Sequence, residues 1–136
     1  MVKMSVVYEG DLRCRLTHDP SGTEIVTDAP VDNQGKGQSF SPTDLVAAAL
    51  GSCMLTVMGI AARKSSINLD GAKVDVEKEM VSDPIRRIGR IIVKIYMPRA
   101  IALEKRSFLE NVARGCPVHK SLSPDMNLDI AFSYPD

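Results

Sequence analysis

Apolar and polar positions alternate along the first part of the chain. Ser5 to Tyr8 and Leu12 to His18 read as strands, Asp19-Pro20-Ser21-Gly22 as a turn, and Glu24 to Thr27 as a third strand. Residues 29–40 (APVDNQGKGQSF) are polar and carry glycines, which predicts a loop. The period then changes. Ser41-Pro42-Thr43-Asp44 has the form of a helix start, with Ser as N-cap, Pro at the first helical position and an acid at the third. The helix is expected to run to about Lys64, where Arg63 and Lys64 complement its carbonyl end. Ala72 to Met80 alternates through Val74 and Val76, Ser82-Asp83-Pro84 turns, and Ile91, Val93, Ile95 and Met97 alternate again, which predicts a hairpin stopped by Pro98. Ile101 to Arg114 reads as an amphipathic helix with Ile101, Phe108, Leu109 and Val112 inward. Gly115 ends it, and Cys116-Pro117 looks like the N-cap and first residue of a short last helix. Leu128, Ile130, Phe132 and Tyr134 alternate with Asn127, Asp129, Ala131 and Ser133 as a final strand. The predicted order is β-β-β-α-β-β-α-α-β, an α+β fold in one domain spanning residues 1–136.

The first helix sets the strongest packing demand. Leu45 to Ala62 is an uncharged run of 18 residues, the lower limit for a membrane span. Ala, Gly, Ser and Thr make up half of it, so it is only weakly apolar and reads as a long buried central helix. Being apolar nearly all round, it must be covered on both sides. One small sheet covers one side and the second helix part of the rest, so a partner subunit is expected to complete it as a homodimer.

Charge narrows the partners. Lys+Arg and Asp+Glu both count 17, so nothing global attracts nucleic acid or an anionic membrane. From Ile85 to Arg106 seven cations (Arg86, Arg87, Arg90, Lys94, Arg99, Lys105, Arg106) face one acid, Glu104, and read as a solvated strand face followed by a helix surface. The N-terminus MVKMSVVYEG lacks the apolar core and cleavage site of a secretory signal. Three cysteines, an odd number, give no disulfide framework and point to a reducing cytoplasm.

Two of those cysteines carry the candidate chemistry. Cys53 lies in the middle of the apolar helix, where a thiol is buried. Cys116 lies at a helix start, where backbone N–H groups favour a thiolate. They are far apart in sequence and form no local CxxC pair, which suggests a redox pair assembled by the fold. The segments SPTDLVAAALGSCMLTVMGIAAR, DPIRRIGRIIVKIYMP and GCPVHKSL resemble the OsmC/Ohr family of organic hydroperoxide reductases, and the resemblance runs from about Gly10 to Tyr134. It implies an intertwined α+β homodimer with two active sites at the interface. It also implies thiol peroxidase chemistry on organic hydroperoxides, with no metal, flavin or other cofactor. By the same resemblance Cys53 is the peroxidatic thiol and Cys116 the resolving thiol. The sulfenic acid on Cys53 condenses to a disulfide, which a dithiol reductant of lipoyl or thioredoxin type reopens.

Apolar burial disfavours a thiolate, so Cys53 needs a nearby cation, which the family supplies as an Arg held by a Glu. The position ten residues before Cys53, where the peroxidases carry that Glu, is Thr43. Asp44 lies nine helical steps from Cys53, roughly the opposite face at ~100° per residue, and reads as the capping-box acid. Arg13 and Arg15, on one strand face opposite Leu12, Cys14 and Leu16, are the candidate cations, with Lys36 in the following loop as a third. Cys14 reads as a core residue. His119 follows Cys116 by three residues and is either a surface or capping residue or a stabiliser of a Cys116 thiolate. Cys53, Cys116 and His119 as a zinc site would need a fourth ligand. Met54 and Met58 read as core, or as a flexible apolar wall for an alkyl peroxide. Two other functions stay open: a binding or thiol-transfer protein on the same fold, suggested by Thr43, and a zinc-binding structural domain.

Overall fold

The computed structural model describes residues 1–135, which form two compact units, Met1–Val46 and the chain from Ala47 onward. In the first unit, strands β1 (Met4–Gly10), β2 (Arg13–His18) and β3 (Thr23–Asp28) make an antiparallel sheet in the order β1-β2-β3. Val6, Leu16 and Ile25 are cross-strand partners, as are Tyr8, Cys14 and Thr27. Side chains alternate between the two faces of a strand. One face is therefore largely apolar, through Val6, Tyr8, Cys14, Leu16 and Ile25. The other carries Glu9, Arg13, Arg15, Glu24 and Asp28. Leu12 is expected to open the second strand but lies in the tight turn before it, at φ 61 beside Asp11 at φ 57. Left-handed backbone at both positions turns the chain and delays β2 to Arg13. Cys14 is half-buried on the apolar face and is not part of the hydrophobic core, a correction to its expected place. That face of the small sheet has no second layer within its own unit to cover it.

Helix α1 (Pro42–Lys64) begins as expected. Ser41 Oγ accepts the Asp44 amide at 3.1 Å, and Asp44 Oδ2 accepts the Ser41 amide at 2.9 Å. This reciprocal capping box satisfies two amides that the helix itself leaves without partners. The second unit holds strands β4 (Lys73–Val81), β5 (Arg87–Tyr96) and β6 (Asn127–Ser133), ordered β4-β5-β6. β4 and β5 form the predicted hairpin, whereas β6 runs parallel to β5. A parallel neighbour requires a crossover. Helices α2 (Leu103–Arg114) and α3 (Pro117–Ser121) provide it.

The core of this unit lies between α1 and one face of the sheet. Leu50, Met54 and Met58 of α1 are fully buried with Ile91, Val93 and Ile95 of β5 and Leu109 of α2. Spacings of three and four residues put the α1 members on one stripe. Gly51 belongs to the same stripe because a Cβ there would come within 2.8 Å of Val76 Cγ2. By length and composition α1 could cross a membrane, yet its stripe is the core of a mixed α+β fold. α2 corrects one expectation. Phe108 is 47% exposed rather than inward, while Leu109 is buried as expected and Ala113 is buried with it. Ile101 is buried but precedes the helix.

Candidate functional site

Cys116 and Cys53 come together in the second unit. Cys116 is the N-cap of α3, with Pro117 at the first helical position, and its Sγ accepts the His119 amide at 3.3 Å. It is 0% exposed, which corrects the expectation that the helix N-terminus makes it a ready thiolate. Burial pushes its pKa up and outweighs the opposing pull of the His119 and Val118 amides, and the neighbouring Cys53 raises it further. Taking a charge out of water costs more than two weak N–H···S contacts return. Cys116 is therefore held as a neutral thiol.

Cys53 is reached from the other direction. It lies mid-way along α1, packed against the same core, but only half-buried, so its expected full burial is also corrected. A sulfur next to the fully buried stripe of Leu50 and Met54, on the flank of the helix, meets both the core and the surface. Both cysteines are free. The pair thus contains one accessible thiol beside one enclosed thiol. Met54 and Met58 are fully buried and serve as core side chains. His119 meets Cys116 through its backbone amide. Among the described residues no three His, Cys, Asp or Glu side chains converge in a way that could hold a metal ion.

The candidate cations belong to the first unit, and their surroundings there differ. Arg15 Nε donates to Glu9 Oε2 at 3.0 Å and its Nη1 to Glu24 Oε2 at 2.9 Å. All three side chains are well exposed, and the two carboxylates, Glu9 foremost, raise the Arg15 pKa. Lys36 reaches Asp11 at 3.5 Å on the exposed loop. Arg13 is held otherwise. Its Nη2 lies 3.6 Å from Asp28 Oδ2 and also donates to the Gln38 side-chain oxygen. Asp28 is 1% exposed. Its Oδ2 accepts the Gln38 amide at 3.0 Å, and that hydrogen bond, aided by the Arg13 charge, lowers its pKa against the opposing effect of burial. The sequence reading missed Asp28. Its signal was available, because pairing β2 with β3 from their turn makes Arg13 and Asp28 cross-strand partners. Thr43 lies in the first turn of α1, its hydroxyl 3.2 Å from that of Ser41.

The basic run from Ile85 to Arg106 is a solvated and bonded surface, as expected. Arg90 pairs with Glu79 and Asp129, Lys94 lies over the Tyr96 ring, and Arg106 lies over the Tyr134 ring.

The model of the OsmC-like protein family matches residues 35–131. Among solved structures, a protein of Psychrobacter arcticus 273-4, provisionally described as an osmotic stress induced and detoxification response protein, is 44% identical. It superposes with a TM-score of 0.92 over 97% of this chain and 96% of its own. The organic hydroperoxide resistance protein OsmC of Legionella pneumophila shares the fold at 12% identity, with a TM-score of 0.78 over 98% and 96% of the two chains. The organic hydroperoxide resistance protein OhrB of Bacillus subtilis does so at 19% identity, with a TM-score of 0.72 over 97% of each. No curated protein matches the chain.

Proposed function

The chain belongs to the OsmC-like protein family, and from that premise we propose that it is a thiol-dependent peroxidase reducing organic hydroperoxides to alcohols. One observation carries the reading: the accessible thiol of Cys53 neighbours the enclosed thiol of Cys116. The thiolate of Cys53 attacks the distal peroxide oxygen. The O–O bond breaks, the alkoxide takes up a proton and leaves as the alcohol, and Cys53 is left as a sulfenic acid. Cys116, neutral until then, gives its proton to the departing hydroxide, and its sulfur closes a Cys53–Cys116 disulfide with loss of water. A dithiol of lipoyl or thioredoxin type returns two electrons by exchange and releases both thiols. Burial of Cys116 suits this order, because peroxide meets Cys53 first and over-oxidation of the resolving sulfur is avoided.

By the family resemblance Arg13 or Arg15 is the proposed cation for the Cys53 thiolate; within the first sheet Arg13 is attached to a buried carboxylate and Arg15 lies between two exposed ones. The substrate class follows the family resemblance and needs no metal or cofactor. A homodimer in the cytoplasm is the proposed form. It is supported by free cysteines and by apolar side chains left open in each unit, among them Val6, Tyr8 and Ile25 on the first sheet and Ile60 and Phe108 in the second unit. A shallow apolar groove of about 320 Å3 lies along Val57, Ile60, Phe108 and Val112. The second reading, a binding or thiol-transfer protein on this fold, is favoured by Thr43 in place of the glutamate. The two separate in one assay. Peroxidase function requires that cumene hydroperoxide be consumed catalytically with dithiothreitol or dihydrolipoamide and that Cys53→Ser abolish the turnover. Reduced wild-type protein that leaves the peroxide untouched sinks the enzyme reading.

A further inference from the structure

We infer that the external reductant opens the Cys53–Cys116 disulfide from one side only: its thiolate attacks Cys53 Sγ, and Cys116 is the sulfur that leaves. This rests on the disulfide of the proposed cycle and adds the direction in which it is opened.

Both sulfurs belong to the second unit, and they differ in reach. Displacement at a disulfide is in line, so the incoming sulfur has to approach the attacked one from the side opposite the bond that breaks. Cys116 offers no such side. It is 0% exposed and lies in one buried cluster with Leu109 and Ala113. Its backbone is fixed there as well, the Cys116 amide donating to Ala113 O at 3.2 Å and the Lys120 amide to Cys116 O at 3.1 Å. Cys53 is half-buried on the flank of α1 and is open to a thiol from solvent.

Leaving-group chemistry pulls the other way. A less basic thiolate departs faster, and burial makes Cys116 the more reluctant thiolate former. Two features offset this. The departing charge on Cys116 Sγ meets the His119 amide, already 3.3 Å away, and the Val118 amide beside it. A difference in leaving-group basicity also changes a rate only by a finite factor, whereas an enclosed sulfur is attacked only after local unfolding. Access therefore decides. As the reductant sulfur bonds to Cys53 Sγ, the Cys53–Cys116 bond breaks and Cys116 takes a proton from solvent, returning to the neutral thiol that its burial favours. The second thiol of the reductant then attacks its own first sulfur, closes a disulfide within the reductant and releases Cys53. Two electrons pass from the dithiol to the two cysteines.

The test uses the wild-type full chain, oxidised with diamide instead of peroxide so that the readout does not depend on peroxidase activity. The oxidised protein is mixed with excess glutathione, a monothiol that stops at the mixed disulfide. Acid quenches the exchange at early times, and peptide mass spectrometry locates the glutathione. The adduct on Cys53, with Cys116 as free thiol, is expected to exceed the reverse by at least about tenfold. In denaturant, where both sulfurs are open, the ratio is expected to fall towards parity. Equal adducts on the two cysteines of the folded protein, or an excess on Cys116, overturn the inference and leave the peroxidase reading standing. A bias that persists undiminished in denaturant also overturns it, because the fold is then not its cause. Failure of diamide to join Cys53 to Cys116 removes the inference and the proposed cycle together. The expected bias in a protein that leaves cumene hydroperoxide untouched upholds the direction of opening and ends the peroxidase reading alone.

Discussion

Cys53 and Cys116 are the same residue type in different surroundings. Enclosed Cys116 stays protonated because burial outweighs two backbone amides, while half-buried Cys53 is open to a small oxidant. Cys116→Ser is expected to accumulate a sulfenic acid on Cys53 and to lose turnover with a dithiol, which dimedone labelling and mass spectrometry read at the residue. Label on Cys14 instead would redirect the chemistry to the first sheet. If the first sheet supplies the cation, Arg13→Ala or Arg15→Ala is expected to lower the peroxidase rate, and an unchanged rate in both variants shows that this sheet does not activate Cys53. Asp28 also carries a stability signature. Its folded pKa lies below the ordinary 3.8, so its contribution is complete above that value. It is lost as pH falls through the lower folded value. Asp28→Asn should therefore shrink the drop in thermal midpoint between about pH 5 and pH 2.5, relative to wild type.

The elements owe their form to local grammar, and α1 shows how far that grammar reaches. Its capping box links Ser41 and Asp44 in both directions. Ser41→Ala should cost about 1 kcal/mol, measured by denaturant unfolding. Two glycines in the same helix make opposite predictions. Gly51 packs under Val74 and Val76 of β4, and a methyl group there meets Val76 at 2.8 Å and Val74 at 3.2 Å. Gly51→Ala should destabilise by about 1–3 kcal/mol through overpacking. Gly59 has no neighbour within 4 Å of its added Cβ, so Gly59→Ala should stabilise by roughly 0.5–1 kcal/mol through lower chain entropy. Equal midpoints for the two variants would mean that the α1 stripe is not packed on the sheet as described.

On the scale of the whole molecule, the chain leaves apolar surface open in both units. Ile60 is 53% exposed on α1, beside Phe108 of α2, and the first sheet presents Val6, Tyr8 and Ile25. Large open apolar patches on a soluble fold mark association surfaces. A homodimer at micromolar concentration is the expected state, and Phe108→Asp or Tyr8→Asp should shift it toward monomer. Multi-angle light scattering reads the result, and a monomeric wild type would count against the assembly. Thr43→Glu should raise the peroxidase rate if the missing glutamate limits catalysis.

The order of elements, the start of α1 and the caps around Cys116 were legible in the sequence because each depends on neighbours a few residues away. Pro42, Asp44 and Pro117 act through their own turn of helix, and Val74 or Ile130 through the period of their own strand. Leu12 was misplaced because a left-handed turn residue can look like the next step of an alternation. Phe108 was misplaced because one residue of rotation, about 100°, decides which side of α2 meets the core. The parallel pairing of β6 with β5, the closeness of Cys53 to Cys116, and the enclosure of Cys116 depend on partners tens of residues away. Burial is a property of what covers a residue, and no local pattern records it. Asp28 is a divided case: pairing β2 with β3 across their turn sets it opposite Arg13, whereas its burial depends on the return of the loop at Gln38.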